Sequence, residues 1–315
     1  MGPWGRFVEN VSSKLAFFPP IPPTYTVEAH SNGDLYIKPV TSEIPKVLNC
    51  TVKQLHTAPT PKSKQGGGSD IVTAFVPCKN SSTALTILYS HGNAVDLGQM
   101  LPVYRELSKL LKVNVMGYDF TGYGACSGTP SVQQTFSDIW AVYQCLLNDF
   151  NVPPERIVVY GQSVGSGPSS WLGARVPNLA GVVLHSPLLS GVRVLKPTLN
   201  WWPAWADVYP NHLMVPRIQC PVLIMHGTED EVIDICCSHK LASLVKNKYP
   251  PLWAQGFTHQ NLELCPEFLP TLVAFLAHVA TPKPGASASG GSTMGASPTS
   301  STAHPGGRPA AAAAR

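Results

Sequence analysis

The chain has 315 residues, a formal charge of +4 from 22 Lys and Arg against 18 Asp and Glu, 44% apolar residues and only 13% charged ones. That is enough apolar material for a sizeable core, in one α/β domain or two smaller ones, and a small charge without a dense basic block argues against nucleic acid as a partner. No apolar run reaches the roughly 18 residues of a membrane-crossing helix, and no basic leader precedes a short apolar stretch, so neither a spanning helix nor secretion is expected.

At the start, Trp4, Phe7, Val8, Val11, Leu15 and Phe18 recur at spacings of three or four, the period of one helical face. Pro19, Pro20, Pro22 and Pro23 then end any helix. Residues 1–23 are therefore an amphipathic, Pro-rich segment, read as a helix packed on the domain, as a short interfacial helix touching a membrane through residues 4–18, or as a disordered stretch. Residues 57–70 (TAPTPKSKQGGGSD) read as a long loop between two early strands.

From there strands and helices alternate. Residues 71–77 and 85–90 are expected as strands. Residues 97–111 are expected as a helix with Leu97, Leu101, Tyr104, Leu107 and Leu111 on one face. A strand at 113–118, a helix at 132–150, a short buried strand at 157–160 and a helix at 164–175 follow. Strands at 179–184 and 222–225, a helix at 237–248, a strand near 252–257 and a helix at 262–278 complete the domain, residues 24–280. Uniformly apolar strands alternating with helices predict an α/β fold, with a mostly parallel sheet covered on both faces. Residues 281–315, Ala, Gly, Ser, Thr and Pro with Met294 as the one large apolar residue, are expected as a disordered tail. The eight cysteines (Cys50, Cys78, Cys126, Cys145, Cys220, Cys236, Cys237 and Cys265) include no C-x-x-C pair. No structural zinc site is expected, and the sulfurs read as reduced thiols of a cytoplasmic protein.

In such sheets ligands bind beyond the carboxyl ends of the strands. Gly161-Gln162-Ser163-Val164-Gly165 lies there, between a strand and a helix. The string alone is weak, but that context is what a nucleophile elbow requires. The turn is so sharp that its flanking residues must be small, and the helix N-terminus favours negative charge on the reacting oxygen. A serine nucleophile needs oxyanion donors. The backbone N–H of Val164 is one candidate, and that of Asn93 (or Ala94), in the loop Ser90-His91-Gly92-Asn93-Ala94, is the other. His91 precedes the nucleophile and reads as a loop-packing residue.

The order Ser, then acid, then His directs attention to His226-Gly227-Thr228-Glu229-Asp230, after the strand at 222–225. Asp230 is the first candidate for the acid, with Glu229 and Asp234 behind it. Asp234 stands where an acidic residue commonly caps a helix. His259, in GFTHQN between a strand and the last helix, is the candidate base. His239 is too close in sequence, His278 closes a helix and His304 lies in the tail.

Taken together, LYSHGNAVDLGQM, YDFTGYGACSGTPS, VYGQSVGSGP, VVLHSPLLSG, IMHGTEDEVID and GFTHQN, with KLAFFPPIPPTY near the start, resemble the α/β-hydrolase domain-containing protein 17 family over residues 14–278. The resemblance implies an α/β-hydrolase fold with a short lid insertion. It also implies a serine hydrolase that removes palmitate from cysteines of membrane-bound signalling proteins, with Ser163 as nucleophile, Asp230 as acid and His259 as base. The expected partners are thus S-acylated, membrane-associated proteins, and the expected place is the cytoplasmic face of a membrane. No metal or other cofactor is required. Animal members carry an acylated N-terminal cysteine cluster, whereas residues 1–49 here contain no cysteine, and Pro3 and Arg6 fit a myristoylation signal poorly. Residues 186–216 separate two strands, as a lid does, and contain Trp201, Trp202 and Trp205. They read as a packed subdomain that can also wall an acyl pocket. The alternatives are a serine esterase or lipase acting on small or lipid esters and, from another class, a catalytically silent scaffold that binds acylated proteins.

Overall fold

The computed structural model describes residues 17–47, 49–59, 68–195 and 207–281. Residues 4–16 of the N-terminal segment, 60–67 of the first loop, Trp201, Trp202 and Trp205 of the insertion, and the tail from 282 with His304 lie outside the described residues.

Among the described residues ten strands form one sheet: β1 (Tyr25–Ala29), β2 (Leu35–Pro39), β3 (Thr51–His56), β4 (Asp70–Val76), β5 (Thr86–Ser90), β6 (Asn114–Tyr118), β7 (Ile157–Gln162), β8 (Gly181–His185), β9 (Val222–Gly227) and β10 (Leu252–Ala254). Their order is β1-β2-β3-β4-β6-β5-β7-β8-β9-β10. From β6 to β10 every pairing is parallel, and from β1 to β4 and on to β6 every pairing is antiparallel. The early hairpin β1–β2 went unpredicted, although its turn at Asn32-Gly33, with Gly33 at φ +89°, is a recognisable sequence signal.

The central strands β5 to β9 are apolar at nearly every position because helices cover both faces. On one face lie α1 (Leu97–Leu111) and, last in the chain, α7 (Phe268–Ala280), which bury Leu97, Leu101, Tyr104, Phe268, Leu272 and Phe275. On the other lie α2 (Val132–Asn148), α3 (Ser166–Gly173) and α6 (Ile235–Leu244), burying Ile139, Val142, Leu146, Leu172 and Leu241. Two short helices, α4 (Gly191–Leu195) and α5 (Asn211–Met214), stand at the two described ends of the insertion. α1 begins with a capping box, Asp96 accepting from the N–H of Gln99 while Gln99 reaches back. Asp96 also accepts from the backbone N–H of Thr24 at 2.8 Å, tying the lead-in to β1 onto this helix.

Several predicted helices are shorter than expected, and the cause is plain in two. The last is a single 3-10 turn (Leu262–Leu264) followed by α7, because Cys265, held extended at ψ 127° before Pro266, interrupts it. α6 stops at Leu244, where Val245 turns extended and the chain runs on to bridge Lys248 to Val222. No described helix is long and apolar enough to cross a membrane.

Candidate active site

The loops after β5, β7, β9 and β10 meet beyond the carboxyl ends of the parallel strands. Ser163 follows β7 directly and sits at φ +52°, in the left-handed region, while the chain turns through a 3-10 turn (Ser163–Gly165) into α3. A non-glycine residue held there costs on the order of 1–2 kcal/mol, which the surrounding packing must supply. The flanking glycines are small because there is no room for more. A Cβ on Gly165 would stand 2.2 Å from the carbonyl oxygen of Ser90, and one on Gly161 2.5 Å from that of Gly165.

The loops after β9 and β10 are stitched together. Thr228 N–H donates to Ala254 O at 2.9 Å and Glu229 N–H to Phe257 O at 3.0 Å. Their approach requires Gly227, where a Cβ would meet Phe257 O at 2.1 Å. This brings His259 between the two other candidates. Its Nε2 lies 3.1 Å from Ser163 Oγ, and its Nδ1 lies 2.7 Å from Asp230 Oδ2. A carboxylate can only accept, so Nδ1 carries the proton and Nε2 is left to accept from the serine hydroxyl.

The carboxyl of Asp230 is buried and saturated. Its Oδ1 accepts from the backbone N–H groups of Val232 and Ile233, at 2.9 and 2.8 Å. A second buried histidine, His226, places Nε2 3.0 Å from Oδ2 and 2.8 Å from Ile233 O, while its Nδ1 meets Ser238 Oγ at 2.6 Å. Burial would raise this carboxyl, but the hydrogen bonds from His226, His259 and Ile233 outweigh it and hold the group well below the usual range. Asp230 is therefore ionised at neutral pH, a fixed negative charge 2.7 Å from His259 Nδ1. The runners-up stand elsewhere. Asp234 caps α6, accepting from Cys236 N–H at 2.8 Å, and Glu229 is tied into the loop by its backbone.

The loop after β5 is held from beneath and from the side. His91 is buried, its Nδ1 on Gly92 O at 2.7 Å and its Nε2 3.2 Å from Asp119 Oδ1, so it supports the loop. Asn93 is fixed through its side chain, whose Oδ1 accepts from the Tyr123 hydroxyl at 2.6 Å and from the Phe18 N–H at 2.9 Å. Phe17 is buried between the rings of Tyr123 and Tyr209, and Phe18 is half-exposed on the cleft rim. Two of the remaining histidines pack elsewhere. The His239 ring packs on Trp253 and that of His278 on Tyr249.

Ser163, Val164, Asn93 and His259 line one cleft of about 860 Å³. Its walls are largely apolar and come from α1, α7 and the described ends of the insertion, including Leu188, Val194 and Val208. Across its floor Tyr89 donates to Gln162 Oε1 at 3.0 Å and Gln162 donates to Glu263 Oε1 at 3.1 Å. Behind them His185 is pushed down to about 3, by burial first and then by the neighbouring His259 and His226, and stays neutral. Sequence reasoning missed His226, Tyr123 and the Tyr89–Gln162–Glu263 line. His226 had a weak signal, a polar side chain at the end of an apolar strand beside the acid, while the others depend on partners 30 to 101 residues away.

A family model described as serine aminopeptidase S33, of the hydrolase class, matches residues 81–216. The human alpha/beta hydrolase domain-containing protein 17B is 39% identical over 271 residues, covering 85% of this chain and 91% of that protein. The alpha/beta hydrolase domain-containing protein aho-3 of Caenorhabditis elegans is 38% identical, covering 86% of this chain and 79% of its own. Among solved structures, the esterase Pf2001 of Pyrococcus furiosus superposes with a TM-score of 0.58 at 16% identity, over 74% of this chain and 93% of that one. Est1E of Butyrivibrio proteoclasticus, with ferulic acid bound, does so with a TM-score of 0.55 at 17% identity, over 67% and 96%. At these identities the structures speak for the fold, and the sequence relatives speak for the family.

Proposed function

The chain belongs to the α/β-hydrolase domain-containing protein 17 family, and from that premise we propose that it is a serine hydrolase cleaving the thioester of S-acylated cysteines in proteins. The observation that carries the reading is the unbroken line Ser163 Oγ to His259 Nε2 at 3.1 Å and His259 Nδ1 to Asp230 Oδ2 at 2.7 Å, opening on an apolar cleft.

Each step follows from that geometry. His259 takes the Ser163 proton as the oxygen attacks the thioester carbonyl, and the buried Asp230 carboxylate stabilises the imidazolium. To the N–H of Val164, in a first helical turn whose donors have no partner within the helix, and to that of Asn93 we assign the developing oxyanion. The C–S bond breaks and the cysteine thiolate leaves, and the proton held by His259 passes to it or to bulk water, which frees the imidazole to act as base again. The thiolate's conjugate acid has a pKa of about 8.5, so protonation by His259 matters less than it would for an amine. Water, deprotonated by the same imidazole, then releases the fatty acid from Ser163.

The thioester reading is tested by comparing turnover of an S-palmitoyl peptide with that of the matched oxygen ester, in wild type and Ser163→Ala. Faster thioester cleavage, lost in Ser163→Ala, supports it. A strong preference for the oxygen ester favours the esterase reading, and equal turnover by Ser163→Ala removes both. Contact with the cytoplasmic face of a membrane through residues 4–18 is part of the same proposal, since its substrates are held there. Because Phe17 is buried in the core, the matching deletion stops at residue 16. It should reduce sedimentation with liposomes, and unchanged sedimentation counts against the contact.

A further inference from the structure

Helix α1 is apolar twice over. One stripe, Leu97, Leu101 and Tyr104, is buried against the sheet. A second, Met100, Val103, Leu107 and Leu110, recurs at spacings of three, four and three and lines the cleft that holds Ser163. Polar residues ordinarily occupy the outer face of such a helix, yet Val103 is 44% and Leu110 57% exposed. Phe268 and Leu269, at the start of α7 on the same side of the sheet, line the same cleft.

The polar groups along this wall are turned to partners of their own. Glu106 holds Lys109 at 2.7 Å, and Glu263 accepts from Gln162. What remains is a hydrocarbon surface with a direction. It starts where α1 leaves the loop that carries Asn93, and it runs away from Ser163 towards Leu110. From Met100 to Leu110 is ten residues, about 15 Å along a helix axis. With C–C bonds of about 1.5 Å in a zigzag, roughly a dozen chain carbons cover that distance.

We infer that this stripe, with Phe268 and Leu269 beside it, is the acyl-chain groove of the site and measures the length of a linear alkyl chain whose carbonyl sits at Ser163. The inference rests on the proposed acyl transfer to Ser163 but not on the leaving group being a thiol. It places the specificity-determining surface on α1, a different element from the insertion that carries Trp201, Trp202 and Trp205.

The test uses the full chain and a series of linear alkyl fluorophosphonates from butyl to hexadecyl, each below its micelle concentration, with the rate of Ser163 labelling as the readout. In wild type the rate should rise with chain length by roughly ten- to a hundredfold overall, as successive methylenes are buried. Leu110→Glu, at the far end, should lower the hexadecyl rate about tenfold and spare butyl and octyl. Val103→Trp, nearer Ser163, should move the cut-off to shorter chains. Val273→Glu, a half-exposed apolar residue of α7 that does not line the cleft, should leave the profile unchanged. A flat wild-type profile, variant profiles that superimpose on it, or equal losses for butyl and hexadecyl would each overturn the groove. The probes contain no thioester, so a protein that spares S-acyl peptides yet shows the shifting cut-off refutes the thioester reading and keeps the groove. Cleavage of S-acyl peptides with an unchanged profile does the reverse.

Discussion

Replacing Asp230 by Asn changes one atom and should disable the site through a proton on the wrong nitrogen. In the native structure Oδ1 accepts from two backbone donors, Val232 N–H at 2.9 Å and Ile233 N–H at 2.8 Å. Those donors fix the orientation of the new amide, because only its oxygen can accept from them. The amide NH₂ is then forced into the Oδ2 position, 2.7 Å from His259 Nδ1 and 3.0 Å from His226 Nε2. Facing a donor, His259 Nδ1 must become the acceptor, so its proton moves to Nε2, which now points a donor at Ser163 and cannot act as a base. Loss of the correct tautomer in a Ser-His-Asp arrangement costs about 10⁴-fold in kcat, close to 5 kcal/mol of transition-state stabilisation. KM should change little, since no cleft wall moves. The same amide opposes His226 Nε2–H, so a stability loss of about 1–3 kcal/mol is expected as well, and activity is read well below a melting temperature measured in parallel. Steady-state kinetics on a soluble ester give the number. A folded variant retaining more than a tenth of the wild-type kcat would refute the tautomer argument.

Gly165→Ala brings a methyl group to 2.2 Å from the backbone carbonyl of Ser90, which no side-chain rotation can relieve, so thermal melting should show a loss of several kcal/mol or failure to fold. A fully stable Ala variant would contradict the packing argument for this turn. Tyr123→Phe removes a 2.6 Å hydrogen bond to Asn93 Oδ1, worth about 1 kcal/mol, and should lower kcat about fivefold with KM on short esters unchanged; an unchanged kcat would mean that this contact does not position the loop. Burial pushes Asp138 up to about 7 despite hydrogen bonds from Thr121 and Gln134, so between about pH 4, its unfolded value, and that pH the native state holds the proton more tightly than the unfolded chain. Its contribution to stability is complete below about pH 4 and is lost as pH rises towards 7. The urea midpoint of wild type should therefore fall relative to that of Asp138→Asn over this window, and parallel curves would show the carboxyl to be ionised throughout.

The parts of the fold legible in the sequence were those where one physical demand dominates. The parallel strands β5 to β9 must be apolar on both faces, and Ser163 must have a glycine two residues to either side between a strand and a helix, so pattern and context mark them. The antiparallel strands β1 to β3 mix buried and exposed positions and carry no such continuous run. The break before α7 was written in the sequence as Pro266, yet the apolar period on either side of it outweighed that single residue in the reading. The support of the candidate site was not legible for a different reason. His226, Tyr123 and Glu263 matter through partners that only the topology brings near, and a histidine at a strand end looks the same whether it holds a carboxylate or merely fills the core. The insertion was expected over the site, and its described ends do line the cleft, but α1 lines it as well, through Met100, Val103 and Leu110, which fell outside the core-facing period assigned to that helix.

The most direct measurement is the site and rate of labelling by a small fluorophosphonate. If His259 and Asp230 activate Ser163, mass spectrometry should find the phosphonate on the peptide containing Ser163, absent in Ser163→Ala and formed at least a hundredfold more slowly in His259→Ala. Labelling at another residue, or at Ser163 with the same rate once His259 is gone, would contradict the account.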